Sequence, residues 1–103
     1  MPFAVKGNVL HVDLTTGTLE MEHPGEDFYR KFGGGSAMGV HYILKHMPAG
    51  ADPLGPDNVL TLFTSALTGL PISGQSRVCA NARSPLSGAV GDSQAGGFFP
   101  AQM

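Results

Sequence analysis

The stretch N-V-L-H-V-D-L-T-T-G-T-L-E-M-E, residues 8–22, decides the fold class. Leu10, Val12 and Leu14 alternate with Val9, His11 and Asp13, the two-residue period of a strand. Thr15, Thr16 and Gly17 supply turn chemistry, and Thr18 to Glu22 alternates again, so residues 5–22 read as a β-hairpin.

Beyond the hairpin, His23-Pro24-Gly25 breaks the strand. A short helix is expected over 26–32, with Phe28 and Phe32 one turn apart and Gly33 as its C-terminal cap. Ser36 is placed to cap a second helix over 37–46, with Met38, Val40, Ile43, Leu44 and Met47 as its apolar stripe. Gly39 within it implies a close approach by another backbone. Residues 48–57 hold three prolines and two glycines and read as a loop. Residues 58–64 form a nearly continuous apolar run, as expected of a strand buried on both faces. A second Gly/Pro loop follows over 65–76, and Arg77 to Arg83 alternates as a strand. The expected fold class is therefore α+β: one mainly antiparallel sheet, fed by the N-terminal hairpin, with one or two short helices.

Composition narrows the function classes. In 103 residues, one domain's worth, 42% are hydrophobic and only 14% charged, so the surface is poor in charge and part of it is expected to be covered. A net charge of −2 argues against a nucleic-acid partner. The start at Met1-Pro2-Phe3 has no basic-then-apolar leader, and no run approaches the length that spans a membrane. The single cysteine, Cys79, excludes an internal disulfide and a self-contained cysteine-ligated metal site, and a reducing, cytoplasmic setting is the default.

Several motifs read blandly. Gly33-Gly34-Gly35 ahead of a helix lacks the spacing and the Lys-Ser/Thr of a phosphate loop, so it reads as a link between helices. His11, His23, His41 and His46 are scattered, with no helical metal-ligand spacing. No G-x-S-x-G occurs, and Cys79 reads as a buried structural thiol.

The last stretch carries more chemistry. Arg77 and Arg83 bracket a strand, and the planar guanidinium suits phosphate or a heterocycle rich in acceptors. Residues 84–99, S-P-L-S-G-A-V-G-D-S-Q-A-G-G-F-F, combine Gly91, Gly96 and Gly97, which let a backbone approach a ligand, with Ser84, Ser87, Asp92, Ser93 and Gln94 as small hydrogen-bonding groups. A surface loop and a loop wrapping a flat, phosphate-bearing cofactor both fit. Ser65-Ala66-Leu67-Thr68-Gly69 and Ser84-Pro85-Leu86-Ser87-Gly88 echo each other. The echo reads either as shared turn chemistry or as two equivalent loops on one ligand.

The order of G-x-V-L-x-V-D-L-T-T-G (7–17), F-G-G-G-S-A-M-G (32–39), D-P-L-G-P-D-N-V-L (52–60), L-T-G-L-P (67–71), S-G-Q-S-R (73–77) and R-S-P-L-S-G-A-V-G-D-S-Q-A-G-G-F-F (83–99) resembles the beginning of the aldehyde:ferredoxin oxidoreductase family. The resemblance implies that residues 1–103 are the first half of a β-rich N-terminal domain on which a bis-pyranopterin cofactor of tungsten, or molybdenum, lies. It further implies a larger enzyme that oxidises aldehydes to carboxylates and passes electrons through a 4Fe–4S cluster to ferredoxin. The cluster cysteines and proton-handling residues of the family are absent from these residues. No catalytic residue is therefore assigned, and the piece by itself is expected to be inactive.

Carried over by position, the family's pterin-contacting arginine falls on Arg77 and its Asn-x-Gly-Gly on Gln94-Ala95-Gly96-Gly97. There a main-chain carbonyl at Gln94 would hold a Mg²⁺ bridging the pterin phosphates. Arg83, Asp92 and Ser93 complete the expected cofactor-contacting set. The departures are Gln94 in place of asparagine, which tolerates left-handed backbone better, Gly33-Gly34-Gly35, where many relatives carry arginine at or beside Gly35, and Pro100, where glycine is more usual. The implied partners are the remainder of the enzyme or a partner subunit, with homo-oligomerisation a further expectation. The other readings are a small pterin-binding subunit completed by another chain, and a structural remnant with no ligand.

Overall fold

The computed structural model describes residues 7–103. The first residues of the expected hairpin and the start of the chain lie outside the described residues. The alternation noted above forms β1 (Val9–Asp13) and β2 (Thr18–Glu22), paired antiparallel with Leu10 opposite Met21 and Val12 opposite Leu19. Asp13 organises the turn: its carboxylate accepts the N–H groups of Thr15 and Thr16, and its carbonyl accepts that of Gly17, whose φ of 71° suits glycine. The hairpin is a two-stranded sheet of its own, a correction to the single sheet expected.

Helix α1 (Glu26–Phe32) ends as expected on left-handed Gly33, whose N–H donates to the Tyr29 carbonyl. Helix α2 (Gly35–His46) starts two residues earlier than expected. Its N-cap position is Gly34, with no side-chain cap, so Ser36 lies inside the helix rather than before it. The buried face of α2 is Met38, Gly39, Tyr42 and Ile43, whereas Leu44 is 76% exposed. That corrects the expected stripe. Tyr42, one turn after Met38, shares that inward face, where its ring stacks on Phe63 and its hydroxyl donates to Glu22 of the hairpin at 3.1 Å.

The second sheet runs in the order β3 (Thr61–Thr64), β4 (Arg77–Arg83), β5 (Val90–Gly96), all antiparallel. Two expectations change here. Strand β3 is a short edge strand with Leu62 45% exposed, because α2 covers only one face of the sheet; it is not buried on both faces. Residues 90–96, read as part of a loop, are a seven-residue strand paired along its whole length with β4. Low β-propensity hid it: V-G-D-S-Q-A-G has neither alternation nor branched residues beyond Val90, and its order comes from pairing.

Helix α2 lies over the Cys79 and Asn81 side of β4. A Cβ on Gly39 would stand 2.6 Å from Asn81 Oδ1 and 2.7 Å from Thr61 Oγ1. The expected close approach at Gly39 is thus made by two buried side chains and not by backbone. Backbone approach occurs instead at Gly34 (φ 94°), where a Cβ would stand 2.5 Å from the Thr64 carbonyl, and Gly34 bridges to Ser65. Val9, Met38, Tyr42, Ile43, Ala51 and Val78 form the core, and the four-residue helix α3 (Phe99–Gln102) packs on β4 through a buried Pro100.

Candidate functional site

The register of β4 and β5 sorts the expected site residues by position. Arg77 stands opposite Gly96, at the end of the sheet where β3 exits and Gly34 touches Ser65. Arg83 stands opposite Val90 at the other end, six residues and about 20 Å along the strand. The two arginines therefore do not converge. The guanidinium of Arg83 is engaged in structure, Nη1 donating to the Ala51 carbonyl at 2.8 Å and Nε to Gly88 at 3.1 Å. Arg77 is exposed beside the glycines.

The same register separates the two echoing turns. Ser65 follows β3 and Ser84 follows β4, and because the strands are antiparallel the turns lie at opposite ends of the sheet. Each serine Oγ accepts the N–H of the leucine two residues on, at 2.9 Å for Leu67 and 3.2 Å for Leu86. The echo is shared turn chemistry, and the two loops do not face one ligand.

Along β5, Asp92 and Gln94 share the α2 face with Asn81 and Cys79, while Ser93 and Ala95 share the opposite face with Ala80 and Val78. Asp92 accepts a hydrogen bond from the Ser36 hydroxyl at 3.0 Å, tying β5 to the first turn of α2. Gln94 has ordinary strand backbone, and no described non-glycine residue has positive φ. The replacement of asparagine therefore introduces no local strain. Gly97 has φ 106°, and its carbonyl accepts from Ser76 Oγ at 2.5 Å.

The outer edge of β5 has no partner strand among the described residues. Every second residue there turns its N–H and C=O away from β4. The side chains from Ser93 to Gly97 are small apart from Gln94, and all five residues are exposed. Helix α2 starts over Cys79, with Gly34 against Thr64 and Ser65, so its positive end is directed to the same end of the sheet as Arg77. An open backbone edge, one guanidinium and a helix start make a donor set suited to a flat, anionic, heterocyclic group. It is not one that ligates a bare transition metal. Among the described residues no cluster of three or more His, Cys, Asp or Glu side chains is arranged to hold a metal, and no helix is long and apolar enough to cross a membrane.

An open cleft of about 210 Å³ adjoins this end, lined in part by Tyr29, Gly34, Met38, Thr64, Thr68 and Pro100. A polar cluster lies elsewhere, at the hairpin. Glu22 Oε2 is 2.6 Å from His11 Nε2 and accepts from Tyr42. The His11 bond holds the Glu22 carboxyl below its usual value against the opposing effect of burial, while burial and then the Glu22 bond push the Tyr42 hydroxyl above the usual phenol range.

Sequence reasoning did not single out Ser76, Gln75 or Asn81. Asn81 carried a signal, being polar at an inward position of an alternating strand, and it is buried with Oδ1 unpartnered. Ser76 carried none, because its partner lies 21 residues away.

Known proteins resemble this chain along nearly its whole length. Residues 9–103 match the family model described as aldehyde ferredoxin oxidoreductase, N-terminal domain. A tungsten-containing aldehyde ferredoxin oxidoreductase of Pyrococcus abyssi is 35% identical over 101 residues, covering 98% of this chain and 17% of the relative. One of Thermococcus kodakarensis is 34% identical over 97 residues, 94% of this chain and 16% of the relative. The solved active site complex BamBC of benzoyl coenzyme A reductase with 1,5-dienoyl-CoA superposes with a TM-score of 0.88 at 29% identity, over 98% of this chain and 16% of that one. The chain thus spans about one sixth of the length of the relatives it matches. The strand pairing that brings Arg77 to Gly96 lies inside the matched region, and the chain belongs to the aldehyde ferredoxin oxidoreductase family through that family's N-terminal domain.

Proposed function

We propose that this chain is the cofactor-binding first part of a tungsten–pterin oxidoreductase, forming roughly half of the family's N-terminal domain. The observation that supports this most is the pairing of Arg77 with Gly96, which sets a cation beside an open backbone edge of small residues. In this reading Arg77 binds and orients the pterin from one side. The backbone of Gln94, Ala95, Gly96 and Gly97 lines its phosphate, with the Gln94 carbonyl available to a bridging Mg²⁺. Ser93 and Asp92 flank the edge, Asp92 through its bond to Ser36. Arg83 is retained at the far end, where it holds the Ala51 and Gly88 backbone and so fixes the turn that launches β5.

Bound there, the cofactor would supply the two-electron chemistry that converts an aldehyde to a carboxylate. A 4Fe–4S cluster carried by later residues would pass the electrons to ferredoxin. The present residues hold and shield the group and move no proton. The fold match to a coenzyme A-linked reductase, beside sequence matches to aldehyde oxidoreductases, supports substrate choice residing outside this domain.

The reading is tested by purifying the complete protein that contains these residues and measuring pterin and tungsten per protein. About two pterins per metal are expected. A folded, completed protein containing neither would refute the reading.

A further inference from the structure

We infer that Ser76 is a positioning residue for the cofactor edge, holding the Gly97 carbonyl so that the following peptide N–H, that of Phe98, is aimed away from β4, toward the open side of the sheet. The inference rests on the proposed function.

Three observations converge on it. Gly97 has φ 106°, a conformation that favours glycine, and the space at its Cα is open, since a Cβ there would meet nothing within 4 Å. Ser76 Oγ donates to the Gly97 carbonyl from the residue before β4 to the residue after β5, closing the ladder one step beyond its last pair, Arg77 and Gly96. Ser76 is itself presented from a braced loop. The Gln75 side chain accepts the Gly69 N–H at 2.9 Å and donates to the Leu70 carbonyl at 2.6 Å, while the Gln75 carbonyl accepts the Arg77 N–H at 3.1 Å.

The geometric consequence follows from the planar trans peptide. Its C=O and N–H point in opposite directions, so a Gly97 carbonyl turned toward Ser76 turns the Phe98 N–H away from it. Without that bond the glycine can rotate among several backbone wells, and the donor loses its direction. Neither Arg77 nor the glycines fix this peptide by themselves.

The test compares wild type, Ser76→Ala and Ser76→Thr. Hydrogen exchange and pterin content are both read on the complete protein that contains these residues. Ser76→Ala is expected to speed exchange at the paired end of β5, residues 94–96, about fivefold, the factor one net hydrogen bond contributes to a local opening equilibrium, with the β1–β2 hairpin unchanged as a folding control. Its pterin content should fall several-fold, and Ser76→Thr, which keeps the hydroxyl, should restore both readouts. Unchanged exchange in Ser76→Ala would overturn the inference. Faster exchange with undiminished pterin would also overturn it, leaving Ser76 a structural clip and the proposed function intact. An assembled wild-type protein without pterin would overturn the proposed function and this inference together, and the wild-type content alone tells that case apart.

Discussion

At single residues, the contacts around α2 set the sharpest expectations. A methyl group at Gly39 would collide with Asn81 Oδ1 and Thr61 Oγ1, both on buried residues that cannot swing away into solvent. Gly39→Ala should destabilise the fold by about 1–3 kcal/mol in chemical denaturation, the usual cost of overpacking. An unchanged midpoint would show that the helix and sheet are less closely seated than described. Glu22 gives a pH expectation. The His11 bond lowers its folded pKa below the ordinary glutamate value of 4.5, so the stability it contributes is present above that value and is lost as pH falls through the lower folded value. The stability gap between wild type and Glu22→Gln should accordingly narrow as the solution is acidified below about 4.5. A gap independent of pH would remove the carboxylate from the hairpin's attachment. Neither contact was legible in sequence, since Gly39 signalled closeness without naming its neighbours and Glu22 read only as the last residue of a strand.

At the scale of elements, what sequence revealed depended on whether a period was present. The hairpin, α1 and β4 each carry a repeating apolar or capping pattern, and each stands where that pattern puts it. Strand β5 carries none, because both its faces and its outer edge are open and its order comes from pairing with β4. The buried stripe of α2 differs from the apolar pattern at Tyr42, which shares the inward face with Met38 but carries a hydroxyl that finds its partner on a different element. The hairpin itself leaves Leu10, Val12, Leu19 and Met21, all more than half exposed, on a single face. Such a face favours association. Leu19→Lys should therefore lower the weight-average mass of the isolated chain in sedimentation. A wild-type chain that is monomeric at high concentration would contradict this expectation.

For the whole molecule, the site's placement depends on antiparallel topology more than on any motif. Residue order put Arg77 and Arg83 on equal footing, both arginines at the ends of one strand beside small-residue loops. Only the register shows that Arg77 meets Gly96 and Gly97 while Arg83 is bound to backbone carbonyls about 20 Å away. Two arginine variants therefore have different expected consequences. Arg83→Ala should cost stability, about 1–2 kcal/mol for the lost bonds to backbone carbonyls, and Arg77→Ala should cost little. The most direct measurement is tungsten and pterin content per folded protein in the two variants, each made in the complete protein that contains these residues. The account predicts a several-fold loss of both in Arg77→Ala and wild-type content in Arg83→Ala; equal content in the two would contradict it.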